Sequence, residues 1–383
     1  MSKQRVVVIG AGVLGLFTAR ELLQHSDIEV TVLDKAHPGD GSSGRSVGMV
    51  ETQYFTRPTV EVRAYGREHY AQLEQEGLTF THGGYLRLAR TEADMESFRE
   101  SIAIQREFGI EDVEILSAVD IATRWPQIIT EGLIGGLLGT WDGFVDGFEV
   151  CQNLAAWVRS QGGTVKTGQE VTGATRDGDD VWRITTAAGE YEADVVVNAA
   201  GPHAGVIGEM LGAPVPLLPM LHGAVTVRVP EFETPTPFVM DYIPGSGVDG
   251  VYFRSEGTQH LIAGLHTEEV IGDAVSPDVL LRSVGDDVLE RIVELLAERL
   301  SNADDLELDR SWQGIYPMTP DHQPIVGAHP AASGVVCALG AGGSGIQLSP
   351  AIGRLAADAV RGIQEPAFEI APEWDAARFS ESA

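Results

Sequence analysis

A glycine turn set between an apolar strand and a helix constrains this chain more than any other feature. Val6 to Ile9 is a short continuous apolar run of the kind buried in a parallel sheet, and Gly10, Gly12 and Gly15 follow it as G-x-G-x-x-G. From Val13 to Leu23 apolar residues recur at helical spacing, Glu29 to Leu33 reads as a second strand, and Asp34 ends it about 20 residues after the third glycine. The first glycine permits the tight turn, the second admits a pyrophosphate close to the backbone, and the third allows helix and strand to touch. Free N–H groups at the helix start, around Val13 and Leu14, suit phosphate charge, and Asp34, with Lys35 behind it, can take the hydroxyls of a ribose. The β-α-β unit therefore predicts a dinucleotide site.

At 383 residues the chain is too long for one core and suits two domains. After a helix from about Pro58 to Glu76, short strands such as Tyr85 to Leu88 and a helix around Ala93 to Phe108 read as an inserted α+β region. The doubly wound pattern returns with a helix from Glu149 to Gln161, the strand Thr164 to Lys166, and strands over Trp182 to Thr186 and Tyr191 to Asn198. β-type segments run from Val215 to Leu265, a long helix from about Val279 to Leu300, and a strand from Gly334 to Leu339 leads to a final helix over Ile346 to Arg361. The expected organisation alternates. Residues 1–81, 146–214 and 321–383 form a Rossmann-like α/β domain, and residues 82–145 and 215–320 form an α+β domain on a large, mostly antiparallel sheet.

Apolar residues at 43% and charged residues at 21% belong to an ordinary globular protein. With 26 basic and 56 acidic residues the net charge is −30, which argues against nucleic acid and anionic lipid surfaces as partners. The apolar run at the N-terminus is too short for a signal segment or a membrane span, and Cys151 and Cys337 have no neighbours at metal or redox spacing. A cytoplasmic protein without a metal centre is expected.

Three more small-residue segments carry chemistry. The loop Gly39 to Gly48 contains Ser42, Ser43, Arg45 and Ser46, whose hydroxyl and backbone donors can wrap the far side of a diphosphate. A nicotinamide has little use for that loop, whereas extended FAD needs contacts along its whole length. The strand Asp194 to Asn198 ends in Ala199, Ala200 and Gly201, where backbone can pass close to a cofactor. Gly340, Gly342, Gly343, Ser344 and Gly345 precede the helix that begins near Ile346, whose dipole would stabilise negative charge on a reduced flavin.

Taken in order, VVVIGAGVLG, LDKA, GSSGRS, VVVNAAGP, WQGIYPMTPDHQPIVG and GAGGSGIQLSPAIG resemble the D-amino acid oxidase superfamily of flavoproteins, in its sarcosine oxidase and glycine oxidase branch. The resemblance spans essentially the whole chain. It implies FAD extended through one domain, with Gly48, Met49, Val171 and Gly314 among its contacts, and a substrate held between the flavin and the large sheet. It also implies hydride transfer from the carbon beside an amine to flavin N5, giving an imine that water hydrolyses.

Departures from the family pattern are as informative. Gly314 stands where several sarcosine oxidases carry a flavin-linking cysteine, and Gly44 and Arg45 stand where related dehydrogenases carry a linking histidine, so noncovalent FAD is expected. In the strand His260 to His266, Ile262 replaces the family's oxygen-activating lysine and His266 is kept. The chain has only Lys3, Lys35 and Lys166, so oxygen, a quinone or another electron carrier all stay open as acceptors. Glu51 and Gln347 stand at the sarcosine branch's carboxylate-binding arginine and lysine, and Tyr316 at the arginine of glycine and D-amino acid oxidases. Arg57, Arg63, Arg87 or Arg254 can substitute for the missing cations, or Glu51 can pair with a cationic amine. Tyr252 and Arg254 share one face of their strand by period two. His222 and His203 read as structural. The candidate substrate residues are thus Tyr316, His266, Glu51, Gln347, Arg254 and Tyr252. The expected substrate is an amine, an amino acid or an N-methyl amino acid. The alternatives are a 2-hydroxy acid dehydrogenase or oxidase on the same fold and a flavin-carrying subunit of a heteromeric dehydrogenase.

Overall fold

The strand Gln4–Ile9 lies at the centre of a six-stranded sheet in the computed structural model, which describes residues 3–177, 180–242, 247–267, 272–301 and 303–379. It pairs in parallel with Ile28–Leu33 on one side and with Val195–Asn198 on the other. Thr164–Lys166 extends the first side; Val335–Leu339 and the antiparallel edge strand Ile325–Ala328 extend the second. Chain direction along the sheet therefore reverses at Gln4–Ile9, and the crevice beyond the carboxyl ends of such strands is where open α/β sheets bind ligands. The helices Val13–Leu22, Gly147–Ser160 and Gly345–Val360 pack in one apolar core with this sheet. Asp146 caps the second of them, accepting from Phe148 N and Glu149 N at 2.8 and 3.0 Å, which fixes where that helix starts.

An eight-stranded sheet forms the other half. Its order is Glu307–Met318, Leu218–Arg228, His260–His266, Gly250–Ser255, Phe238–Asp241, Tyr85–Ala89, Gly135–Gly139 and Val113–Ser117. All neighbours are antiparallel except Phe238–Asp241 with Tyr85–Ala89. One face packs on the helix Asp286–Arg299 through Phe253, Val251, Leu261, Ile292 and Leu296. Arg299 ties that helix down by donating from Nε to Asp241 Oδ2 at 2.7 Å. The opposite face carries Tyr85, Phe238, Met240, Tyr242 and Tyr252 and meets Val47 and Met49 from the second glycine loop. The α/β domain and the large mixed sheet are both as the sequence implies, and their strands alternate along the chain.

Three elements differ from expectation. The run Tyr191 to Asn198 is broken at Asp194, whose carboxylate takes Arg5 N and the Arg5 guanidinium at 2.7 Å each. Its first half, Gly189–Ala193, joins Val171–Arg176 and Trp182–Thr186 in a separate antiparallel sheet rather than the doubly wound one. The long helix starts at Asp286 instead of Val279, and residues 279–285 run as a strap against the cofactor-sized cavity. Among the described residues no helix is long and apolar enough to cross a membrane.

Candidate active site

Four chain turns meet at the carboxyl ends of the parallel strands. Gly10 and Gly12 follow the central strand, Asp34 and Lys35 the next, Ala199 to Gly201 the one on the other side, and Ala341 to Gly343 the one beyond. They line a cavity of about 500 Å³ that also takes in Ser42, Ser43, Arg45, Val171, Gly314 and Tyr316. Gly10 has φ +111°, and a Cβ there would lie 2.3 Å from Ala199 O, so the turn excludes every other residue. Asp34 accepts from Ala11 N at 2.7 Å and Ala36 N at 2.8 Å, which aims the carboxylate along the cavity rim. Each of its oxygens keeps a second lone pair for a ligand hydroxyl.

The second glycine loop is clamped between the halves of the molecule. Ser43 Oγ accepts from Val13 N at 3.2 Å, Ser42 Oγ donates to Ile315 O at 2.6 Å, and Trp312 Nε1 donates to Arg45 O at 3.0 Å. The cavity thus continues from the nucleotide-binding turns to the large sheet. Gly343 lies so close to Tyr316 that a Cβ would meet its ring at 2.6 Å. A cradle of bare backbone with a helix N-terminus at one end and aromatic rings at the other fits an extended dinucleotide that carries a flat ring system.

Most of the sequence-derived cofactor residues line this cavity: Gly10, Gly12, Val13, Leu14, Asp34, Lys35, Ser42, Ser43, Arg45, Ser46, Val171, Ala199, Ala200, Gly201, Gly314, Gly342, Gly343, Gly345 and Ile346. Gly15 does not; it packs the first helix against Gly10 O, which its Cβ would meet at 2.0 Å. Gly48 and Gly340 also stand outside the lining, whereas Met49, Ser344 and Gln347 face a second chamber. Gln169, Pro277, Asp278 and Val279 line the nucleotide cavity without having been anticipated. Asp278 takes Lys35 Nζ at 3.0 Å and lies 2.8 Å from His203 Nε2, so the strap is latched there and His203 is a lining residue rather than a remote structural one.

The second chamber holds about 600 Å³ and shares His222, Tyr252, Tyr316, Gly342, Gly343 and Ile346 with the first. Its walls are Tyr54, Phe55, Tyr85, Phe238, Met240, Tyr242 and Leu265, with Arg87, His266, His322 and Gln347 as polar contributors. The Tyr252 side chain lies across Gly264, whose Cβ would fall 2.2 Å from the Tyr252 hydroxyl. Burial lowers His222 to about 4, and burial, assisted by the Arg87 charge, lowers His266 to about 4, so both imidazoles are neutral near pH 7. Gln347 is 2% exposed and neither atom of its amide has a protein partner.

Of the candidate substrate residues, Tyr316, Tyr252, His266 and Gln347 converge on this chamber. Arg254 does not. Its face-sharing with Tyr252 holds, but one step further along the strand it is buried between the Phe144 ring, Val47 O and Glu256. Glu51 is also outside the lining, at 1% exposure, where its Oε2 accepts from Gln53 N at 2.5 Å. Arg57 is bound on the surface by Glu107 and Glu369, and Arg63 stacks behind Tyr54 at 3.2 Å from the ring centroid. Arg87 alone of the four arginines reaches the chamber. His222, structural by its sequence context, lies at the junction of the chamber with the nucleotide cavity, where its ring stacks on Tyr316 from the paired strand.

Comparisons with known proteins agree with this geometry. The family profile described as FAD dependent oxidoreductase matches residues 5–359. Glycine oxidase from Geobacillus kaustophilus is 26% identical over 96% of this chain and 95% of its own length. Human mitochondrial sarcosine dehydrogenase is 25% identical over 92% of this chain, which spans only 39% of that larger protein. Among solved structures, L-proline dehydrogenase from P. horikoshii superimposes with a TM-score of 0.85 at 25% identity, covering 99% of this chain and 98% of the other. With residues 5–359 inside one family profile and its strand ends shaped for the dinucleotide, the chain belongs to the FAD-dependent oxidoreductases of the D-amino acid oxidase type.

Proposed function

We propose that the protein oxidises the C–N bond of an amino acid, with N-methyl and cyclic secondary amino acids as the leading substrates, using noncovalently bound FAD. The observation that carries this reading is the junction of the two cavities at His222, Tyr252 and Tyr316. A substrate in the chamber would sit between the large sheet and the end of the cofactor site. FAD, when bound, supplies the hydride acceptor for the carbon beside the nitrogen, and the resulting imine hydrolyses in water. Glycine oxidase, sarcosine dehydrogenase and L-proline dehydrogenase, by their names, all act on small amino acids, which supports the substrate class.

The chain's own contribution is orientation and dryness. Aromatic walls exclude water and fix the plane of a small ring or N-methyl group. The neutral imidazoles of His222 and His266 can accept a hydrogen bond from the substrate amine without presenting a competing positive charge. Tyr316 and the unpartnered Gln347 amide flank the same space. No lysine lines the chamber, and Lys35 lies beside Asp34 at the nucleotide end. Reoxidation is therefore assigned to a quinone-like or protein acceptor in preference to oxygen, and the two unpaired cysteines, which suit a reducing compartment, support the cytoplasm as the site of action.

The test is anaerobic bleaching of the flavin over a panel of primary, N-methyl and cyclic amino acids, plain amines and 2-hydroxy acids. Bleaching by the amino acids and not by the hydroxy acids is expected. Bleaching by hydroxy acids alone would replace this reading with the 2-hydroxy acid alternative.

A further inference from the structure

Arg87 projects from the strand Tyr85–Ala89 into the chamber and is 8% exposed. Its Nε donates to Gln53 O at 3.1 Å, and its Nη2 lies 3.5 Å from Glu51 Oε1, an ion pair without a hydrogen bond. Among the described residues nothing else bonds it. A guanidinium has five N–H donors, so most of this buried cation's capacity is unspent. The rings of Tyr85, Tyr54 and Phe55 fence its carbon at 5.3, 5.5 and 5.6 Å from their centroids, which leaves it little freedom to seek partners elsewhere.

The charge is nonetheless secure. Burial opposes it, but the acidic groups around it, Tyr85 and Glu51 foremost, more than offset that, and its pKa is raised. Among the described residues, no aspartate or glutamate lines the chamber to take up the free donors. The orphaned amide of Gln347 lines the same space, a second buried polar group waiting for a partner. The ligand must therefore bring acceptors, and a planar carboxylate is the shape a guanidinium fork fits.

We infer that Arg87 grips the substrate carboxylate through its free Nη donors and that Glu51 is the buried counterion that holds the guanidinium in that pose. The inference rests on the amino-acid reading above and adds its specificity determinant. Glu51, at the position matched to an arginine in the sarcosine branch, here supports a guanidinium delivered from the sheet. Arg87 binds the carboxylate, and Glu51 is a positioning residue that also lowers the net positive charge of the anchor, which tunes the site to a single carboxylate.

The experiment uses the full-length, FAD-loaded protein and pyrrole-2-carboxylate, a flat anion that cannot be oxidised at the α-carbon, titrated through the flavin spectrum. Arg87→Lys, which keeps the charge opposite Glu51, should weaken binding roughly 10-fold, and Arg87→Met roughly 100-fold. Glu51→Gln, which keeps the shape but removes the charge that holds the guanidinium in place, should weaken binding by about 3-fold. Unaltered affinity in Arg87→Lys and Arg87→Met would overturn the anchor, and unaltered or tighter binding in Glu51→Gln would overturn its counterion role. If the wild type binds pyrrole-2-carboxylate through Arg87 yet no amino acid bleaches it, the amino-acid oxidation reading fails while the anchor stands.

Discussion

The Tyr316 ring is stacked on the His222 imidazole, with centroids 3.7 Å apart and planes 17° from parallel. The pair stands where the nucleotide cavity opens into the chamber, and burial keeps the imidazole uncharged. His222 and His266 both titrate near 4 in the folded protein, against about 6.5 when exposed. Between those values the unfolded chain binds more protons, so stability is lost as pH falls from about 6.5 towards 4. His222→Phe keeps the stack and removes one titration, and its acid-unfolding midpoint should move to lower pH. An unchanged midpoint would show that the imidazole is not held neutral by its surroundings.

Asp142 titrates in the opposite sense. Burial first, and the Glu51 charge second, push it up to about 8, so it carries its proton at neutral pH. Between the ordinary value of about 3.9 and about 8 the folded state binds the extra proton, and stability falls as pH rises through that window. Asp142→Asn removes this slope. Urea midpoints at pH 6 and pH 9 should differ in the wild type and converge in the variant, and an equal drop in both would place the titration elsewhere.

Gly264 makes room for Tyr252. A methyl group there would lie 2.2 Å from the hydroxyl and 2.4 Å from Cζ, so Gly264→Ala must displace the ring from the cavity junction. FAD should still bind, because Gly264 is not among the residues lining the nucleotide cavity. The limiting rate of flavin reduction should fall about 10-fold or more through lost orientation. Stopped-flow reduction with a saturating substrate checks this, and a rate equal to wild type would remove Tyr252 from the account.

The flavin should come away from the protein. No cysteine lines either cavity, Cys151 and Cys337 are both buried, and burial pushes the Cys151 thiol up to about 12. Acid precipitation should leave yellow colour in the supernatant. Colour retained in the pellet would demand a covalent link, with His203 and His222 as the lining candidates.

What could be read from the sequence follows the range of the interactions involved. Gly10, Asp34, Ala199 and Gly342 were legible because each sits at the end of an apolar strand, where local spacing alone places it at the sheet's carboxyl edge. Arg87 was one of four arginines with no local signal to separate them. What selects it is non-local: Val47 and Phe144 bury Arg254, Tyr54 covers Arg63, and Glu107 and Glu369 hold Arg57 on the surface. His222 was set aside for the same reason, since its stacking partner is brought to it only by strand pairing. The strap over residues 279–285 reads as helix because its apolar spacing continues that of Asp286–Arg299, but non-local bonds fix its place: Arg282 N donates to Gln313 Oε1, Val284 N donates to Ser311 Oγ, and Lys35 reaches the adjoining Asp278.

Anaerobic reduction of the bound flavin by a cyclic or N-methyl amino acid, followed at its visible absorbance, tests the central claim most directly. The account predicts full bleaching by such an amino acid and none by the matching 2-hydroxy acid. A flavin that stays oxidised with every amino acid, or is bleached by the hydroxy acid instead, would contradict it.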